Sequence, residues 1–147
     1  MEAFKIAIYE QRNGTGTFAP FHSLSHEEAD RLFQSLKRKL KLPEQLDAVH
    51  VIEHIERKNT LVKGIDATQD DFDLMRTLQT AGLEVSEQLF LNWYRFDRMD
   101  EIRVDDLCRS FCDIWYTSSD DLDILHASLN WILSIHHSGT VSFLRLA

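Results

Sequence analysis

The sequence predicts a single α+β domain, residues 1–147, with a mainly antiparallel sheet of five or six strands packed by two or three helices. Three observations carry this expectation. The last third of the chain, Asp113–Leu146, holds a Trp- and Ile-rich stretch that alternates and then turns at Ser138-Gly139. Residues 25–40 combine helix-start chemistry with an apolar stripe of helical period. Five Gly and two Pro leave little material for a linker, and 44% hydrophobic with 27% charged residues suits a chain that buries one core.

Taken in order, Phe4, Ile6 and Ile8 alternate with Lys5, Ala7 and Tyr9, which predicts a first strand. The same segment has no basic start and no sufficient apolar run, so no secretory signal is expected. Asn13-Gly14-Thr15-Gly16 reads as a turn, with a short return strand around Thr15–Ala19. Ser25 and Glu28 have capping-box spacing, and Ala29, Leu32, Phe33, Leu36 and Leu40 then form one helical stripe. Lys37, Arg38, Lys39 and Lys41 complement the carbonyl end of that helix, which Leu42-Pro43 stops.

Leu46–Val62 supports two readings. Val49, Val51, Glu53 and Ile55 alternate, while Ala48, Ile52 and Ile55 fit a helical face; a strand over Ala48–Arg57 is preferred, with a turn near Lys58–Thr60. Thr68 and Asp71 are expected to cap a second helix bearing Phe72, Met75, Leu78 and Ala81, ended by Gly82. Leu89–Phe96 (LFLNWYRF) reads as a strand, followed by a short helix from Asp105 to about Cys112.

From Ile124 to Leu144 there are 21 residues without Asp, Glu, Lys or Arg. Interruption by His126, Asn130, His136, His137 and several Ser argues against a membrane span. As strands, Trp131, Leu133 and Ile135 share one face and Ile132, Ser134 and His136 the other, with Val141 and Phe143 completing a hairpin. As a helix, Ser118 would cap and Leu122, Leu125, Leu129 and Ile132 would line a stripe. The hairpin is preferred because Trp, Ile and Val suit a pleated surface.

Charge is the sharpest functional clue. Residues 1–63 carry ten Lys/Arg against nine Asp/Glu, whereas residues 64–147 carry six Arg against fifteen acids. Asp97–Asp123 alone holds nine acids and three Arg, within a chain of net charge −8. Such a surface repels nucleic acid and attracts basic partners. The expected partner-binding residues are the steering acids Asp97, Asp100, Glu101, Asp105, Asp106, Asp120, Asp121 and Asp123, with Trp115 and Tyr116 as aromatic anchors. A homodimer without another partner is the bland counterpart, and no cofactor is expected.

One motif carries a named chemistry. His50-Val51-Ile52-Glu53-His54 matches His-x-x-Glu-His, in which two His on one helix face hold zinc and the Glu acts as base. A small zinc-dependent hydrolase using this motif is the alternative function, although the preferred strand would break that arrangement and no further acidic ligand is apparent. His136-His137 beside Gly139 could contribute metal ligands, but successive strand residues face opposite ways, and a turn histidine with no metal role is preferred. Cys108 and Cys112 are expected to be buried thiols in a reducing cytoplasm.

The stretch Trp115-Tyr116-x-Ser118-Ser119-Asp120-Asp121, with Leu129-x-Trp131-Ile132-Leu133-x-Ile135-His136-x-x-Gly139, resembles small acidic bacterial proteins that act as immunity partners of polymorphic toxins. The resemblance covers about the last quarter of the chain. It implies a non-enzymatic protein that neutralises a basic toxin by occluding its active site, and it assigns no residue roles.

Overall fold

A computed structural model describes residues 1–146. The chain forms one α+β domain around a seven-stranded antiparallel sheet, one strand more than the upper expectation. Its elements, in order, are α1 (Ala3–Asn13), β1 (Phe21–Ser23), α2 (His26–Lys39), α3 (Ala48–Lys58), β2 (Thr60–Asp66), α4 (Leu74–Thr80), β3 (Gln88–Asn92), β4 (Met99–Arg103), α5 (Val104–Arg109), α6 (Phe111–Ile114), β5 (Leu122–His126), β6 (Trp131–Ile135) and β7 (Thr140–Arg145). The strand order is β1-β4-β3-β5-β6-β7-β2.

Both faces of the sheet are covered, which is why its central strands are apolar on successive residues. Leu89, Leu91, Ile124, Trp131, Leu133 and Ile135 point into one core, shared with Leu74, Leu78, Leu107 and Ile114 of the short helices. Leu125 and Ile132 point the other way, against Ala29 and Leu36 of α2 and Val51 and Ile55 of α3. The expected C-terminal hairpin is present, with Ile135 opposite Val141 and Leu133 opposite Phe143. The expected capping box is present too: Ser25 Oγ accepts from Glu28 N–H, and the Glu28 carboxylate accepts from Ser25 N–H at 2.7 Å. Gly82 takes the left-handed conformation (φ 65°) just after α4.

Two expected strands are helices. At 3–13 the inward positions are Lys5, Ile6 and Tyr9, a helical spacing, and Phe4 and Ile8 are exposed. The alternation was real but irrelevant, because the buried residue is a lysine. At 48–58 the i, i+4 pair Val51 and Ile55 is buried, and Asp47 caps the helix by accepting from His50 N–H at 3.0 Å.

Other boundaries move. No return strand forms at Thr15–Ala19; one edge strand is Phe21–Ser23, and the other edge strand, Thr60–Asp66, and the inner Met99–Arg103 are unforeseen. The 89–96 strand stops at Asn92. α4 starts at Leu74, capped by Asp73 rather than by Thr68 or Asp71. Lys37 is buried, donating to the carbonyl oxygens of Glu44 and Leu46, so it does not share the exposed basic helix end. Cys108 is half-buried and Cys112 exposed, so only the first resembles the expected buried thiol. Among the described residues, no helix is long and apolar enough to cross a membrane.

Candidate binding cleft

A concavity of about 830 Å³ lies between the start of α1, the 93–98 loop and the 119–121 loop. It gathers Asp97, Asp100, Asp120 and Asp121, which the sequence spreads over 25 positions, and adds Glu2, Tyr94, Arg95 and Arg98. Strand order explains the convergence. β4 and β5 both pair with β3, so the loop after β3 and the loop before β5 emerge at one end of the sheet.

Two of the four acids are engaged inside the fold. Asp100 is buried; its Oδ1 accepts from Ser23 Oγ at 2.7 Å, and its Oδ2 accepts from Trp93 Nε1 at 2.7 Å and from the Met1 amino group. Asp120 Oδ2 accepts from the Lys5 ammonium at 2.6 Å and from Tyr116 N–H at 2.8 Å. Their charges are locally matched, so they set the cleft floor rather than steer a partner. Asp97 and Asp121 are exposed, with Asp121 Oδ1 accepting from His137 N–H at 2.8 Å. Glu2 is the third accessible acid, facing Arg98 at 3.9 Å.

The 93–98 loop has an unusual backbone. Tyr94 (φ 154°) and Phe96 (φ 62°) both have positive φ, which bulky residues adopt only when their surroundings impose it. Asn92, fully buried, imposes it: Oδ1 accepts from Phe96 N–H at 2.9 Å, and Nδ2 donates to Tyr94 O at 3.0 Å and to Asp123 Oδ2 at 3.1 Å. Phe96 turns inward to stack on Phe33, centroids 4.7 Å apart. Tyr94 is left 53% exposed over the cleft, with the Arg95 guanidinium 5.0 Å from its ring centroid.

The remaining expected residues lie elsewhere. Trp115 is buried, stacked on Phe111 and donating Nε1–H to Asp120 O at 2.9 Å. Trp115 and Tyr116 line a separate depression of about 660 Å³ with Phe72, Cys108 and Cys112. Asp105 is exposed on α5, while Asp106 pairs with Arg109. Glu101 borders a shallow groove beside Arg31. Asp123 accepts from Ser134 Oγ at 2.7 Å, and burial pushes its carboxyl up to about 6 despite that bond and the one from Asn92. The single anchoring and steering surface expected from sequence is therefore divided, and Tyr94 is the exposed aromatic beside the acids.

The zinc motif receives the helix it needs, with His50 and His54 one turn apart on α3. His50 Nδ1 lies 2.7 Å from Asp47 Oδ1, which raises its pKa by hydrogen bonding and then by charge; burial lowers that of His54. Among the described residues, however, the one group of three His, Cys, Asp or Glu side chains with converging ligand atoms is Asp121, His136 and His137. His50, Glu53 and His54 gain no third ligand.

The sequence reading missed Lys5, Asn92 and Tyr94. Asn92 alone left a trace, as an amide inside an apolar and aromatic run. Comparison of the chain with protein-family models, curated proteins and solved structures found no match.

Proposed function

We propose that this chain is a non-enzymatic binding protein that takes a basic segment of a protein partner into the cleft beside Tyr94. An immunity protein that occludes the active site of a basic toxin in the cytoplasm is the most specific form of this reading. The observation that carries it is the cleft itself: exposed Asp97 and Asp121 stand with Glu2 around an exposed tyrosine whose backbone is held in a rare conformation. Strain of this kind costs about 1–3 kcal/mol per residue and persists where the surrounding structure over-determines it, commonly at binding sites. The overall charge of −8 supports the same direction by raising encounter rates with cationic partners.

In this reading Tyr94 supplies buried contact area and the acids supply orientation and on-rate. Arg95 and Arg98 on the same rim select for a partner that carries both signs, since a uniformly cationic peptide would meet them as like charges. The test is paired capture from lysate of the source cell. Wild-type protein and an Asp97→Lys/Asp121→Lys variant are immobilised and eluted with a salt gradient. A basic protein retained by the wild type and lost by the variant supports the reading. Identical retention by both columns contradicts it.

A further inference from the structure

We propose that Asp121, His136 and His137 form a binding site for one divalent first-row transition-metal ion, with zinc as the representative case. The donors are already assembled. Each of the three residues offers one ligand atom, and these atoms lie within 4.8 Å of one another. His137 Nδ1 is 2.9 Å from Asp121 Oδ1, and His136 Nε2 is 3.9 Å from the same oxygen. Ligands at zinc bond lengths of about 2.0–2.2 Å stand roughly 3.3 Å apart in a tetrahedron, so side-chain shifts on the order of 1 Å complete the geometry.

The expectation that adjacent histidines face apart fails because neither residue is in a strand. β6 ends at Ile135, and His136 and His137 occupy the turn to β7. There the rings lie side by side, with centroids 3.8 Å apart. The turn is held by its backbone: His136 N–H donates to Thr140 O at 2.9 Å, Ser118 N–H to His137 O at 2.8 Å, and His137 N–H to Asp121 Oδ1 at 2.8 Å. Little backbone ordering is left for the ion to impose, which is the main cost of forming a site.

An outer partner is also in place. Ser138 Oγ is 2.8 Å from His136 Nδ1, and Ser138 N–H donates to the same nitrogen at 3.2 Å; binding through Nε2 moves the ring proton to Nδ1, where Ser138 Oγ is placed to accept it. Two imidazoles and a carboxylate suit zinc, cobalt, nickel or copper rather than calcium or magnesium, which prefer all-oxygen sets. Three protein ligands leave a coordination position open, and all three side chains are about half exposed, so that position faces solvent. It can take water or a donor from another molecule.

The test is a titration of EDTA-stripped protein with zinc chloride against a chromophoric chelator, with circular dichroism to verify the fold of each variant. One equivalent is expected to bind. His137→Ala and Asp121→Asn are each expected to weaken binding at least about tenfold, because even outer partners contribute that much. His50→Ala/His54→Ala should leave the titration unchanged. Absence of stoichiometric binding, or binding that survives His136→Ala/His137→Ala and is lost with His50→Ala/His54→Ala, would overturn the assignment. Cobalt(II) gives a second reading: visible d–d bands in the wild type, absent from His137→Ala, are expected, and a spectrum that the variant shares would contradict the site.

Discussion

The Lys5 ammonium lies 2.6 Å from Asp120 Oδ2 and 2.9 Å from the carbonyl oxygen of Ile114, with its side chain entirely buried. It also stands 4.2 Å from the Trp93 ring centroid and 5.2 Å from that of Tyr116. This one cation joins α1, the 93–98 loop, α6 and the 116–121 loop beneath the cleft. Removing it leaves Asp120 without its counter-charge in a site only 12% exposed. Lys5→Met should therefore cost about 3 kcal/mol, at the lower end for breaking a buried pair because Asp120 keeps some water. Lys5→Met/Asp120→Asn should recover part of that loss. Urea denaturation of the three proteins measures both quantities, and a double variant no more stable than the single one would show that the pair is not coupled.

The burial of the Asp123 carboxyl makes stability depend on pH in a definite direction. Its pKa rises from 3.8 to about 6 on folding, first through desolvation and to a smaller extent through the charges of Glu56 and Asp121. The folded protein then binds more protons than the unfolded chain between those values, so this group lowers stability as pH rises from about 4 to about 6. The penalty is full above that window and absent below it. Asp123→Asn keeps a carbonyl for Asn92 and an amide toward the Ser134 hydroxyl. It should flatten the dependence over this window and unfold at higher urea than wild type at pH 7.5. An unchanged pH profile would contradict the assignment.

The two thiols should behave differently in the native protein. Burial, then the charges of Asp73 and Asp105, pushes the Cys108 thiol up to about 11, which leaves almost no thiolate at neutral pH. Cys112 is exposed. Iodoacetamide at pH 7.5 should add one label to the folded protein, at Cys112, and two in urea, read by peptide mass. Labelling of Cys108 at the same rate as Cys112 would contradict this.

Much of the sheet centre was legible in the sequence, and the reasons are local. Trp131–Ile135 and Thr140–Arg145 are rich in Trp, Ile, Val and Phe on either side of Ser138-Gly139, and Gly139 is needed there. Its φ is 95°, and a Cβ would run into Asp66 and Thr68. Gly139→Ala should cost about 1–3 kcal/mol for that reason, measurable in the same urea assay. The edge strand Phe21–Ser23 was not legible because it is too short to show a period, and its neighbour Met99–Arg103 was hidden by its two acids. α1 was hidden by Lys5, since a charged residue facing inward has no signature in a hydrophobic pattern. α3 was obscured by Val and Ile, which suit strands, at positions where packing on Leu125 and Ile132 requires a helix. Of the site, the charge of the 97–123 segment was readable. Which acids are exposed was not, because Asp100 and Asp120 differ from Asp97 and Asp121 only in neighbours that are distant in sequence.

The central claim is that exposed acids at this cleft steer a basic partner. Stopped-flow association of the captured partner with wild type and with Asp97→Lys/Asp121→Lys, over a range of ionic strength, tests it most directly. The wild-type rate should fall steeply with added salt. The variant should associate at least about tenfold more slowly at low salt and approach the wild type at high salt. Superimposable curves for the two proteins would contradict the account.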